Sequence, residues 1–263
     1  MSAPAETAPL AGRHAVVTGA SRGIGAAIAA ALAAQGVRVS LLGRDAANLQ
    51  RVSATLGGAD RALPIVADVT DPASVQSAFA AARGRFGAVH FLVNNAGQAA
   101  SAKFIDTDEA LWNRLIAVNL TGTYLATRQA VPDMLAEGFG RIVNIASTAG
   151  VRGAAYISAY SSSKHAVIGL TRSLALEYAH RNITVNAVCP GYVDTDMVKA
   201  AIAAIKSKTG RSEAEALAAL LATNPQRRLV APREVADTVM WLLRPGSESV
   251  TGQSIILAGG EVT

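Results

Sequence analysis

The chain predicts an α/β protein, a doubly wound parallel sheet with helices on both faces, on three observations. Short β-branched runs alternate with Ala- and Leu-rich segments of helical period along nearly all 263 residues. A glycine-rich turn stands between the first such run and the first helical segment. The length suits one α/β domain with a large buried core, here residues 12–263.

The elements follow in order. Residues 14–18 predict the first strand, and 26–35 the helix beyond the glycine turn. Residues 37–42 predict the second strand, after which Asp45 is placed to cap a helix over 46–56. A strand over 62–67 precedes Asp71 and Pro72, a cap and first-turn proline opening a helix over 72–85. Strand 89–93 is followed by a long helix over 108–136, with Thr107 before its acidic first turn. Strand 141–146, helix 158–180, strand 183–188, helix 232–243 and strand 254–257 complete a sheet of seven or eight strands. Residues 195–229 break the rhythm with about two helices where one crossover suffices, carrying Lys199, Lys206, Lys208, Arg211, Arg227 and Arg228. Following a strand end, this segment is expected to form a substrate lid over the crevice where such sheets bind ligands.

Composition excludes several classes. Hydrophobic residues make up 51% of the chain but lie in blocks far shorter than the ~20 residues of a membrane span. Residues 1–11 carry two prolines and no basic residue, so they are expected to be a loose tail and not a targeting peptide. The net charge is +5, but the basic residues are scattered with few aromatics between them, which argues against nucleic acid and suits an anionic small molecule. One cysteine, Cys189, excludes an internal disulfide and fits a reducing cytoplasm. The four histidines (His14, His90, His165, His180) form no metal-ligand set.

The turn Thr18-Gly19-Ala20-Ser21-Arg22-Gly23-Ile24-Gly25 would present backbone amides and a helix N-terminus to a pyrophosphate. Small residues are needed because the phosphate must approach the main chain closely. At the end of the second strand no acid stands to bind ribose hydroxyls; Arg44 follows instead, and Arg22 sits in the loop. Two guanidinium groups would clamp a 2′-phosphate, so NADP(H) is the expected cofactor. Asp45 turned inward would serve NAD(H).

Tyr160 and Lys164 stand four residues apart on one predicted helix face, with Ser147 thirteen residues before Tyr160 at a strand end. A phenol has a pKa of about 10, too high for an efficient base near neutrality. Lys164, together with the positive nicotinamide ring of the oxidised cofactor, is expected to bring it down, letting Tyr160 exchange a proton with a carbonyl oxygen that Ser147 also bonds.

The spacing Gly-x-x-x-Gly-x-Gly, together with Asn94-Asn95-Ala96-Gly97, Asn119, Ser147/Tyr160/Lys164 and Pro190-Gly191, resembles the short-chain dehydrogenase/reductase family from Gly12 to about Gly260. The resemblance implies cofactor contacts from Gly19, Ser21, Arg22, Gly23, Ile24, Gly25, Arg44, Asn95, Ala96, Gly97, Tyr160, Lys164, Pro190 and Gly191. It further implies adenine contacts from Asp68 and Val69, carboxamide contacts from Val193 and Thr195, and a proton relay in which Asn119 holds a water leading from Lys164. Ser162 stands where the motif often has alanine. The run Arg-Ile-Val-Asn-Ile-Ala-Ser over residues 141–147 and the step Ser163-Lys164-His165 are most similar to 3-oxoacyl-thioester reductases, including polyketide ketoreductases.

Members that act on carrier proteins dock them with two basic residues; this chain has Gly138 at the first position and Arg181 at the second. A coenzyme A thioester or a free ketone is therefore at least as well supported as a carrier-bound substrate. Competing expectations are a dehydrogenase of cyclic or aromatic secondary alcohols, and a non-catalytic NADP-binding sensor or scaffold. The resemblance also implies a homotetramer, built through the long helices over 108–136 and 158–180 and the C-terminal strand.

Overall fold

A computed structural model describes residues 10–262. Seven parallel strands form one sheet in the order β3-β2-β1-β4-β5-β6-β7. They are β1 (His14–Thr18), β2 (Arg38–Gly43), β3 (Ala62–Val66), β4 (Phe91–Asn94), β5 (Gly140–Ile145), β6 (Ile183–Pro190) and β7 (Ser254–Leu257). The order reverses between β1 and β4, which opens a crevice at the carboxyl ends of the strands. Alternating residues feed the two faces. Ala15, Val17, Phe91, Val93, Val143 and Ile145 point to one core, and Val16, Leu92 and Ile142 to the other.

The first core is covered by α1 (Gly23–Ala34), α2 (Ala46–Thr55) and, later in the chain, Pro232–Leu243; the second by α3 (Pro72–Phe86), Gly122–Glu137 and Ser158–Tyr178. Asp45 caps α2, its side chain accepting from Asn48 N, and Asp71 caps α3 ahead of Pro72. α1 begins three residues earlier than its periodicity predicts, because Gly23 and Gly25 are part of its first turn. Leu10 is buried in the first core, so the expected tail ends before it; residues 1–9 lie outside the described residues.

The long helix expected over 108–136 is instead α4 (Glu109–Ile116), a π-helical turn at Ala117–Thr121 and α5 (Gly122–Glu137). Its cap is Asp108, which accepts from Leu111 N at 2.7 Å; Thr107, one residue too early, bonds Lys103 O. α6 (Ser158–Tyr178) ends in a 3-10 turn over Ala179–Arg181. The expected lid is a helical hairpin, α7 (Asp196–Thr209) and α8 (Glu213–Leu220), with its own apolar contact through Val198, Ile202 and Ala216. α9 (Pro232–Leu243) closes the series. Among the described residues no helix is long and apolar enough to cross a membrane.

At the opposite end of the sheet from the crevice, His14 is fully buried. Its Nδ1 donates to Gly87 O (2.9 Å), which fixes the tautomer and leaves Nε2 to accept from Ser40 Oγ (2.9 Å). Burial pushes this imidazole down to about 4 from 6.5. The unfolded chain therefore takes up a proton that the folded chain refuses, and stability is lost as the pH drops from 6.5 to about 4. Urea unfolding is expected to show a loss of about 1.4 kcal/mol per pH unit there, about 3 kcal/mol in all. In His14→Gln this component is absent, so a variant with the same pH slope as the parent would exclude His14 as its source.

Candidate active site

The glycine turn is held open by neighbours. Thr18 Oγ1 accepts from Asn95 N and Ala96 N, both at 3.0 Å, and Asn95 Nδ2 donates to Thr18 O and Gly19 O, also at 3.0 Å. Gly19 and Gly23 have φ of +66° and +54°, the left-handed region that glycine tolerates. A Cβ at Gly25 would lie 2.3 Å from Gly19 O, so only glycine lets the helix start against the loop. Arg22 caps α1 through the backbone alone, with no side-chain cap, leaving the first-turn amides for an anion. The loop thus fits a pyrophosphate. Asn95, expected at the cofactor, shapes the loop that would hold it.

Around this turn lie the other expected contacts. Arg22 and Arg44 are exposed, and Arg22 pairs with Asp196 of the lid at 3.8 Å. Asp45 keeps its carboxylate on the α2 cap, where the Asn48 amide holds it below its usual range. Asp68 accepts from Thr70 N and Thr70 Oγ1, and Val69 packs where a Cβ on Gly122 would approach to 2.8 Å. Gly191 N donates to Leu257 O, holding the chain after β6 on β7; Pro190, expected just beyond the strand, is its last residue. Val193 is buried, and Thr195 packs over Gly23, 3.2 Å from where a Cβ there would stand.

Ser147 follows β5 in extended conformation and caps a 3-10 turn over Thr148–Gly150, accepting from Ala149 N at 3.1 Å. That turn lies directly on α6. A Cβ at Gly150 would sit 2.8 Å from Lys164 O, and Ser161 Oγ donates to Ala149 O. This contact sets Ser147 against the part of α6 that carries Tyr160. Lys164 is buried, with Nζ donating to Ile145 O at 2.8 Å and lying 5.9 Å from the Tyr160 ring centre.

Among the protein's own groups, burial is the largest influence on Tyr160 and pushes its phenol above the ordinary value. Burial also lowers the Lys164 ammonium to about 8. The spacing brings the two side chains to one face, but the ammonium bonds main chain. The protein groups alone therefore hold a protonated phenol, a proton donor at neutral pH, beside an amine that titrates near neutrality.

Asn119 sits on the π-helical turn, fully buried. Its Oδ1 accepts from Gln98 N (2.8 Å), and its Nδ2 donates to Gln98 O (3.0 Å) and Ser163 Oγ (2.9 Å). Ser163 Oγ in turn donates to Tyr160 O at 2.7 Å. Gly97 bridges the set, since a Cβ there would stand 3.3 Å from Asn119 Oδ1 and 3.6 Å from Lys164 Nζ. Sequence reasoning missed Thr18, Gln98, Gly150 and Ser163 as supports. Ser163 and Gly150 carried a signal in their places, one before Lys164 and three after Ser147; Gln98 acts through its backbone and carried none. Cys189 is buried and burial raises its thiol to about 11, an inert group.

Residues 13–206 match the model of the family described as short chain dehydrogenase. The chain is 41% identical over 249 residues to a protein described as ketoacyl reductase 1 of the granaticin polyketide synthase of Streptomyces violaceoruber, covering 94% of this chain and 92% of that one. It is also 41% identical over 251 residues to galactitol 2-dehydrogenase (L-tagatose-forming) of Cereibacter sphaeroides, covering 95% and 94%. A solved actinorhodin polyketide ketoreductase with NADPH, a single-substitution variant, superposes with a TM-score of 0.91 at 39% identity, over 95% of this chain and 97% of that one. On matched motifs, fold and relatives alike, the chain belongs to the short-chain dehydrogenase family.

Proposed function

We propose that the protein is an NADP(H)-dependent oxidoreductase that interconverts a ketone and a secondary alcohol, with a 3-oxoacyl thioester as the substrate to be reduced. The observation that carries this reading is the packing of the Ser147 turn on the part of α6 that holds Tyr160 and the buried Lys164, at the carboxyl end of β5 and beside a glycine turn shaped for a dinucleotide. The ketoacyl reductase and ketoreductase names of its relatives support the substrate class. Turnover of acetoacetyl-CoA with NADPH tests it; activity on ketones without turnover of any thioester would remove the thioester reading. Equal identity to a galactitol dehydrogenase favours a second reading, a polyol or cyclic alcohol as substrate.

When bound, the nicotinamide cofactor supplies or removes the hydride. The protein's own residues manage the proton. Tyr160 gives its proton to the carbonyl oxygen as negative charge gathers there, and the Ser147 hydroxyl donates a second hydrogen bond to the same atom. Lys164, near 8, is suited to return a proton to Tyr160 from the Asn119 side of the site. Gly19, Ser21, Gly23, Ile24 and Gly25 would hold the pyrophosphate, and Ala96, Gly97, Pro190, Gly191, Val193 and Thr195 would line the nicotinamide side.

Exposed Arg22 and Arg44, with Asp45 committed to its cap, support NADPH over NADH. Arg44→Ala is expected to weaken NADPH binding about 10–100-fold in a fluorescence titration and to leave NADH unchanged. Equal losses for both would show that Arg44 does not read the 2′-phosphate. Exposed Trp112 and Tyr124 on α4 and α5, Leu176 on α6 and Ile256 on β7 support a homotetramer, which sedimentation at equilibrium would test. The single free cysteine suits the cytoplasm.

A further inference from the structure

A polar cluster lies beyond Ser147 that the chemistry above does not use. Arg152 follows the 3-10 turn, its amide donating to Thr148 O at 3.0 Å. Its guanidinium pairs through one nitrogen with Glu261 Oε1, an atom that also accepts from Thr223 Oγ1 at the base of the lid. The Glu261 side chain is only 6% exposed, while that of Arg152 is 39% exposed. Glu261 Oε2 is buried without a donor among the described residues, and a Cβ on Gly191 would stand 2.9 Å from it.

This geometry sets the cluster just past the Thr148–Gly150 turn and against Gly191, at the carboxyl ends of β5 and β6. A finished structural ion pair satisfies both carboxylate oxygens. Here a single guanidinium nitrogen is bonded to the buried carboxylate, and the Arg152 side chain, 39% exposed, keeps its other N–H donors without a hydrogen bond among the described residues. An arginine held in this way is pre-organised for an oxygen acceptor.

We propose that Arg152 is a specificity-determining residue that donates to the C1 carbonyl oxygen of the substrate's 3-oxoacyl group, with Glu261 as its positioning residue. The proposal rests on the thioester reading above. It separates substrates that carry a second carbonyl two carbons from the ketone from those that do not.

Steady-state kinetics with NADPH on acetoacetyl-CoA and on cyclohexanone, which has no second carbonyl, test it. Arg152→Met is expected to lower kcat/KM for acetoacetyl-CoA about 10–100-fold, chiefly through KM, and to change cyclohexanone reduction by less than about threefold. Arg152→Lys, which keeps the charge and the pairing but loses the planar fork, is expected to show a smaller loss of the same selectivity. Glu261→Gln is expected to raise KM for the thioester alone. Should Arg152→Met fail to fold, Arg152→Lys decides. Losses equal on the two substrates, or no loss on the thioester, would overturn the proposal while leaving the thioester reading in place. A parent enzyme that reduces cyclohexanone and no thioester would overturn both.

Discussion

Tyr160→Phe is expected to lower kcat for ketone reduction about 10²–10⁴-fold, the span that a positioned general acid contributes. The ring stays, so its packing in α6 and the approach of Lys164 are retained; only the hydroxyl is lost. NADPH binding, followed by fluorescence, is expected to stay within about threefold of the parent, since a group acting only in the transition state lowers kcat and kcat/KM together. The burial that keeps the phenol protonated also gives the parent enzyme a directional pH response. Reduction keeps its proton donor across neutral pH, whereas alcohol oxidation needs the phenolate and rises toward alkaline pH. Full activity in the phenylalanine variant would end the assignment of Tyr160.

Gly25→Ala is expected to abolish dinucleotide binding and to destabilise the fold by about 1–3 kcal/mol or more, the cost of forcing a methyl into closed packing. The new Cβ would meet Gly19 O at 2.3 Å and Asn95 Nδ2 at 2.5 Å. Neither can yield cheaply: one is main chain of the loop, and the other is the amide that pins it. Gly84→Ala is the control, because a Cβ there meets nothing within 4 Å in the interior of α3. That change is expected to stabilise by about 0.5–1 kcal/mol with binding intact. Thermal melting and an NADPH titration on the two variants would separate them, and a normally binding Gly25→Ala would refute the close-packed loop.

Much of this was legible in the sequence because its signals are local. Short β-branched runs placed all seven strands to within a few residues, and Asp45 and Asp71 act as caps at the positions their side chains allow. The four-residue step from Tyr160 to Lys164 fixed a shared helix face. What periodicity could not carry was electrostatics through space. Whether Lys164 or desolvation governs the phenol depends on the Ile145 carbonyl, nineteen residues from Lys164, which takes the ammonium. The same holds for Arg152 and Glu261, which stand 109 residues apart and meet only in the folded chain. The helix over 108–136 was read as unbroken because its apolar pattern continues through a turn whose extra residue composition does not announce.

That extra residue has a consequence for how the protein tolerates change. A π turn holds one residue more than the regular helical ladder needs, so a one-residue deletion within Ala117–Thr121 would heal α4 and α5 into a continuous cylinder. The repair would swing Asn119 about 100° around the axis, away from Gln98 and Ser163, at little cost to the sheet. At this place a shortened chain would trade the Asn119 contacts for a more regular helix.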